Sequence, residues 1–195
     1  MRIFIALDID DAVRERIARF MEGVQGFAPD ARWVKPESLH VTLKFIGEQP
    51  EPNVEQIKLA LGTVTAVPAE IQFRGYGFFP TAKSARVFWV GMESGPQLPS
   101  LAAAIDDKTA SLGIPREERS FSPHLTLARG AGGSGSPGRL KGNGPNRTFQ
   151  RLQEKLTPLP TPEFGTMTAR EFFLYRSQLS SRGSQYTKLA RFALQ

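Results

Sequence analysis

The sequence contains no cysteine and only two histidines among its 195 residues. Without cysteine, disulfides, thiolate nucleophiles and cysteine metal sites are excluded. No apolar run is long enough to cross a bilayer, and the apolar start at residues 2–7 meets Asp8 too early for a signal peptide. The prediction is a soluble, cytoplasmic protein with no membrane partner.

The overall composition is that of a globular protein. Charged residues make up 23% of the chain and hydrophobic residues 40%, in a chain long enough to bury a core. The net charge of +6 favours anionic partners such as nucleotides or nucleic acid. Because the basic residues are scattered, charge alone does not separate such a partner from an ordinary solvated surface.

The two histidines lie in matching frames of six residues. Residues 38–43 read S-L-H-V-T-L, and residues 122–127 read S-P-H-L-T-L. In both copies apolar residues alternate with the histidine and a threonine, a pattern typical of a β-strand with one buried face. The predicted histidine strands cover residues 39–46 and 123–129.

Such strands place each histidine next to its threonine. Residues i and i+2 of a strand point to the same side, so His40 lies beside Thr42 and His124 beside Thr126. We expect the four polar side chains to surround one cleft.

Three kinds of chemistry can use two histidines. A closed zinc site needs more ligands than two imidazoles, and no carboxylate stands at ligand spacing, so no metal or other cofactor is predicted. A nucleophilic triad needs an acid to orient the histidine, and none is placed to do so. Paired acid–base catalysis fits best, since one neutral ring can accept a proton while the other donates one. This chemistry cleaves a phosphodiester, with the threonines and Arg119 or Arg129 donating to phosphate oxygens.

The order of predicted elements indicates an α+β fold. It reads strand, helix, strand, helix, hairpin, helix, strand, helix, hairpin, and strict β-α-β alternation fails. The third helix is predicted over 96–112 with Leu112 facing inward, and the last hairpin as strands 168–179 and 185–194. Residues 130–145 are predicted to be a flexible Gly/Ser-rich loop within a single bilobal domain covering residues 1–195.

Longer blocks of the sequence resemble a known family. They are R-I-F-I-A-L from residue 2, W-V-K-P-E-S-L-H-V-T-L-K-F-I-G-E over residues 33–48, and R-S-F-S-P-H-L-T-L-A-R over residues 119–129. These blocks, with the doubled H-x-T-x motif, resemble the RNA 2′,3′-cyclic phosphodiesterases, also called the 2′-5′ RNA ligase family, of the two-histidine phosphoesterase superfamily.

The resemblance implies a fold and an activity. The fold is bilobal α+β, with two antiparallel-sheet lobes and outer helices around a central cleft. The activity is metal-independent hydrolysis of RNA 2′,3′-cyclic phosphate ends to 2′-phosphates. By the family pattern His40 is the proton donor and His124 the proton acceptor. The substrate-binding residues implied are Thr42, Thr126, Arg129 and Arg119.

Two other functions remain open at this point. The same residues suit an ATP-independent 2′-5′ RNA ligase that joins tRNA halves. A non-catalytic RNA- or nucleotide-binding module is the third interpretation, although binding alone does not need two titratable rings. The expected partners are RNA ends or nucleoside 2′,3′-cyclic phosphates, and the expected oligomeric state is a monomer.

Overall fold

The computed structural model describes residues 1–130 and 147–195. The helices and strands of these residues alternate irregularly along the chain. In chain order they are β1 (Arg2–Leu7), α1 (Asp11–Val24), β2 (Arg32–Trp33), β3 (Val41–Glu48), α2 (Glu51–Leu61), β4 (Ala69–Phe79), β5 (Val87–Ser94), α3 (Gln97–Ala110), β6 (His124–Arg129), α4 (Gln150–Leu156), β7 (Glu163–Ala169), β8 (Glu171–Ser180) and β9 (Gly183–Ala193).

The strands form two antiparallel sheets. The first sheet has the order β3-β1-β8-β9, and the second has the order β2-β6-β5-β4-β7. β1 is central in its sheet because its residues are apolar on both faces, and both faces are buried. The predicted α+β fold with two antiparallel sheets is confirmed.

Helix α1 forms where apolar residues recur at helical spacing. Its buried residues are Val13, Ile17, Met21 and Val24. This stripe packs on β7 of the second sheet, and Phe20 meets Phe164 edge to face with ring centroids 5.2 Å apart. Each fully buried aliphatic side chain stabilises the fold by about 1.5–3 kcal/mol. The helix that follows β1 of the first sheet therefore covers the second sheet.

The two sheets share one hydrophobic core. Ile5 of the first sheet and Phe73 and Phe88 of the second belong to one cluster of buried side chains, and none of the three has exposed surface. Helix α3 contacts both β3 and β4 and so joins the sheets. On its other face, the first sheet carries a smaller cluster of Phe4, Ala6, Phe173 and Tyr175.

The prediction of one strand over residues 168–179 is wrong. Residues on the two sides of Arg170 belong to different sheets, because β7 pairs with β4 whereas β8 pairs with β1. The chain passes from one sheet to the other without a glycine or proline, so the sequence contains no signal of the break.

Other boundaries also differ from expectation. Helix α3 ends at Ala110, so Leu112 is outside the helix and 40% exposed, contrary to the inward position predicted for it. His40 lies directly before β3 rather than within it. Apart from Gly130, the predicted loop at 130–145 lies outside the described residues. No helix in residues 1–130 and 147–195 is long and apolar enough to span a membrane.

Candidate active site

The two histidine motifs meet where the sheets adjoin. β3 is the edge strand of the first sheet, and β6 lies next to the edge of the second, flanked by the two-residue β2. Cα atoms of β3 and β6 approach to within 8 Å. The fold thus brings together two segments that are far apart in sequence.

Both imidazoles are held by the same backbone contact. Nδ1 of His40 lies 2.8 Å from the carbonyl oxygen of Ser38, and Nδ1 of His124 lies 2.9 Å from that of Ser122. Because a carbonyl oxygen can only accept a hydrogen bond, Nδ1 carries the hydrogen in each contact. Nε2 is then the ring nitrogen that can contact a substrate. The repeated serine two residues before each histidine therefore corresponds to a repeated ring orientation.

A β-bulge follows each threonine. Leu43 is the extra residue in the pairing of β3 with β1, and Leu127 is the extra residue in the pairing of β6 with β5. An extra residue shifts the alternation of side chains by one. Phe45 and Arg129, each three residues after its threonine, therefore point to the same face as the threonines, and both are exposed.

The bulge at Leu127 decides the position of Arg129. Strict alternation would place Arg129, five residues after His124, on the opposite face from the histidine. The bulge reverses this, and the positive charge of Arg129 acts across the cleft to lower the pKa of His40. The structure thus brings His40, His124 and Arg129 into one site.

The pKa of His40 lies below its ordinary value of 6.5. Burial is the main cause, because it disfavours the charged ring, and Arg129 adds to the effect. The hydrogen bond with Ser38 and the negative charge of Asp8 act in the opposite direction. An anionic phosphate beside Arg129 would offset its charge and favour the protonated form of His40.

Aromatic rings support His40. Its ring centroid lies 4.9 Å from that of Phe4 and 5.1 Å from that of Tyr186. Phe4 in turn stacks on Tyr175 at 5.1 Å. Burial raises the pKa of Tyr175, so its phenol stays neutral. These residues come from three strands of the first sheet, and no local pattern in the sequence singled them out.

Arg14 is a second contributor that the sequence analysis missed. Its Nη1 donates to the carbonyl of Pro36 at 2.7 Å, and its Nη2 donates to the carbonyl of Ile9 at 3.1 Å and to Asp8. The guanidinium thereby ties helix α1 to the turn that precedes His40. An arginine in the first turn of a helix looks like any exposed charge in the sequence, so nothing marked it.

The carboxylate of Asp8, whose charge acts on His40, is paired with two cations. Asp8 accepts from Arg14 and, at 2.6 Å, from Lys188. Burial alone would raise the pKa of Asp8, but the bonds from Lys188 and the Ile9 amide outweigh it, so the pKa is lowered. In the part of the chain that the structure describes, no group of three or more His, Cys, Asp or Glu could hold a metal ion.

His124 has more open surroundings than His40. It is exposed, and the ring of Trp89 lies beside it, with centroids 6.3 Å apart at an interplanar angle of 55°. Thr126 pairs with Trp89 and is partly exposed on the same face. Arg119 is exposed in the segment between α3 and β6, so its substrate contact stays a prediction.

Comparison with known proteins gives the family. Residues 7–89 match the family described as LigT like Phosphoesterase. The RNA 2′,3′-cyclic phosphodiesterase of Archaeoglobus fulgidus is 33% identical over 98% of this chain and 99% of its own length. That of Methanothermobacter thermautotrophicus is 33% identical over 100% of this chain and 99% of its own. The chain belongs to the LigT-like phosphoesterases.

Solved structures agree with this membership. The Thermus thermophilus protein TT0787 has a TM-score of 0.76 and 29% identity, covering 100% of this chain and 98% of its own. E. coli LigT complexed with 3′-AMP has a TM-score of 0.76 and 28% identity, covering 99% and 97%. The predicted family, its bilobal two-sheet fold and the prediction of a hydrolase are confirmed.

Proposed function

We propose that this LigT-like phosphoesterase hydrolyses RNA 2′,3′-cyclic phosphate ends to 2′-phosphates by proton transfer at His40 and His124, without a metal ion. The observation that carries the proposal is the pair of identically held imidazoles at the starts of β3 and β6, two strands that approach to within 8 Å. The names of the curated relatives supply the substrate class. Because one chain contributes both rings, we further propose that it acts as a monomer.

The proposed reaction needs two proton transfers. A water molecule attacks phosphorus while Nε2 of neutral His124 accepts its proton, and the exposed position of this ring gives water access. The bond from phosphorus to O3′ breaks, and O3′ takes the proton of protonated His40. The products are a 2′-phosphate and a free 3′-hydroxyl, with His124 protonated and His40 neutral.

The lowered pKa of His40 is compatible with the role of proton donor. A weaker hold on the proton makes the imidazolium a stronger acid toward the departing oxygen. The phosphate of the substrate brings a negative charge between His40 and Arg129, which favours protonation before the reaction. Binding and protonation of His40 are therefore coupled.

Hydrogen-bond donors surround the proposed position of the phosphate. The hydroxyls of Thr42 and Thr126 and the guanidinium of Arg129 share a face with the imidazoles. Donors aimed at the non-bridging oxygens stabilise the charge that builds up there in the transition state. Arg119 is proposed as an outer contact to the RNA backbone.

Phe45 is the residue we assign to the terminal base. The bulge at Leu43 turns its ring to the cleft face, where it is 49% exposed. The guanidinium of Arg2 lies 5.0 Å from the ring centroid on the same sheet. Stacking of an unpaired base on an aromatic side chain is the usual way of holding single-stranded RNA.

The test uses adenosine 2′,3′-cyclic phosphate and single substitutions. His40→Ala and His124→Ala are each expected to lower kcat by about 10²–10⁴-fold, the contribution of a positioned acid or base. Circular dichroism checks that the variants fold, and chromatography identifies the phosphate position in the product. Full activity in either variant, or loss of wild-type activity with a chelator, would contradict the proposal.

The same site also suits ligation. If a 5′-hydroxyl of a second RNA takes the place of water, the identical proton transfers produce a 2′-5′ linkage. Incubation with paired tRNA halves, with product analysis for both linkage and hydrolysis, measures which nucleophile is used. A protein that only binds would yield neither product.

A further inference from the structure

The open face of the second sheet carries an unusual contact beside His124. Trp89 on β5 pairs with Thr126 on one side and with Gly77 of β4 on the other. The indole fills the space above Gly77, and a Cβ added at Gly77 would overlap its ring atoms. The ring thus lies against bare backbone and remains partly exposed.

A second glycine extends this bare surface to the histidine. Gly91 pairs directly with His124, and a Cβ added there would meet the carbonyl oxygen of Arg74 at 2.5 Å and lie 3.7 Å from the indole. No side chain of β5 therefore stands between His124 and Trp89. The surface between the imidazole of His124 and the indole of Trp89 is therefore formed by backbone atoms.

We propose that Trp89, Gly77 and Gly91 form a subsite for the base of the nucleotide that precedes the cyclic phosphate. This inference rests on the proposed function. Phe45 lies on the β3 side of the cleft, and Trp89 lies on the β6 side, so the two rings flank the position of the phosphate. Two aromatic platforms accommodate two successive bases, and a π-face accepts any base. The substrate class is then an oligonucleotide end rather than a mononucleotide.

The subsite makes a prediction about substrate selectivity. The kcat/KM for a dinucleotide ending in a 2′,3′-cyclic phosphate is divided by that for the cyclic mononucleotide, in the wild type and in Trp89→Leu. Stacking of one base contributes about 1–3 kcal/mol, so the ratio is expected to fall about 10-fold. The matched control is Trp33→Leu, since Trp33 packs edge to face on buried Phe88 at 5.9 Å and should leave the ratio unchanged.

A binding measurement tests the subsite without turnover. In a Trp33→Phe background, Trp89 is the single tryptophan, because the chain has two. A dinucleotide with a 2′-deoxyribose 3′-phosphate end cannot cyclise, and it is expected to quench the indole fluorescence more strongly than the matching mononucleotide. Equal quenching by both, or an unchanged selectivity ratio in Trp89→Leu, would overturn the subsite. Absence of hydrolysis of both substrates by the wild type would instead overturn the proposed function.

Discussion

His40 and His124 share one local contact but differ in their surroundings. Each Nδ1 is bonded to the carbonyl two residues earlier, so both rings present Nε2. His40 is packed among aromatic rings, whereas His124 is exposed. The repeated motif does not encode this asymmetry, which accompanies the different roles that the family pattern implies for His40 and His124.

Arg129→Gln tests the electrostatic coupling across the cleft. The charge of Arg129 disfavours the imidazolium, so its removal is expected to raise the pKa of His40. Nuclear magnetic resonance can follow both titrations directly, because the chain has two histidines. As an acid, His40 must be protonated, so kcat/KM declines above its pKa, and this limb should move to higher pH in the variant.

The control for this change is Arg182→Gln. Arg182 is exposed at the turn between β8 and β9 and carries the same charge. Removal of the Arg182 charge should leave the pKa of His40 unchanged. An unaltered or lowered pKa of His40 in Arg129→Gln would show that the two groups are not coupled as described.

At the scale of elements, the bulges decide what each strand presents. Strict alternation along 39–45 would turn Lys44 outward and Phe45 inward, but Lys44 is 2% exposed and Phe45 49% exposed. The sequence predicts the strands and the His-Thr spacing, but it contains no signal of the bulges. A bulge depends on the pairing with the neighbouring strand, and that pairing is not a local property of the sequence.

Two glycine substitutions are expected to have opposite effects on stability. Gly91→Ala places a methyl group against the backbone carbonyl of Arg74 and should destabilise the fold by about 1–3 kcal/mol. Gly23→Ala in helix α1 meets nothing within 4 Å and should stabilise it by up to about 1 kcal/mol, since alanine favours the helix. Urea unfolding measures both, and a stable Gly91→Ala would show that β4 and β5 can move apart locally.

At the scale of the whole molecule, an ion pair of the buried Lys44 joins the first sheet to helix α3. Nζ of Lys44 on β3 donates to Asp106 of α3 and, at 3.0 Å, to the carbonyl of Pro115 in the segment leading to β6. The pair therefore links the strand after His40 to the segment before His124. Burial opposes the charge of Asp106, but the bond from Lys44 outweighs it and lowers the pKa of Asp106.

Lys44→Met is expected to destabilise the fold by about 1–3 kcal/mol, the cost of leaving a polar group without its partner, because Asp106 is partly exposed and Arg116 still faces it. Since the folded-state pKa of Asp106 is depressed, the contribution of the pair is complete above the ordinary carboxyl pKa of about 4 and is lost as pH falls through the lowered value. The difference from wild type should therefore shrink in acid.

The control is Lys58→Met, which removes an exposed pair with Glu55 on α2 and should cost less than about 1 kcal/mol. Thermal unfolding at pH 7 and at pH 3 measures both variants. A loss of stability in Lys44→Met that is no larger than in Lys58→Met would show that the Lys44–Asp106 pair does not stabilise the contact between β3 and α3.

The features that the sequence predicts correctly are those that depend on residues close together along the chain. The histidine and threonine spacing, the apolar stripe of α1 and the resemblance to the family can all be read along the chain. The tertiary structure alone decided that Arg129 faces the cleft, that Lys44 turns inward, and that β7 and β8 enter different sheets. The physical reason is that hydrophobic periodicity reports how a segment meets its own neighbours, whereas bulges and sheet membership depend on the partner strand.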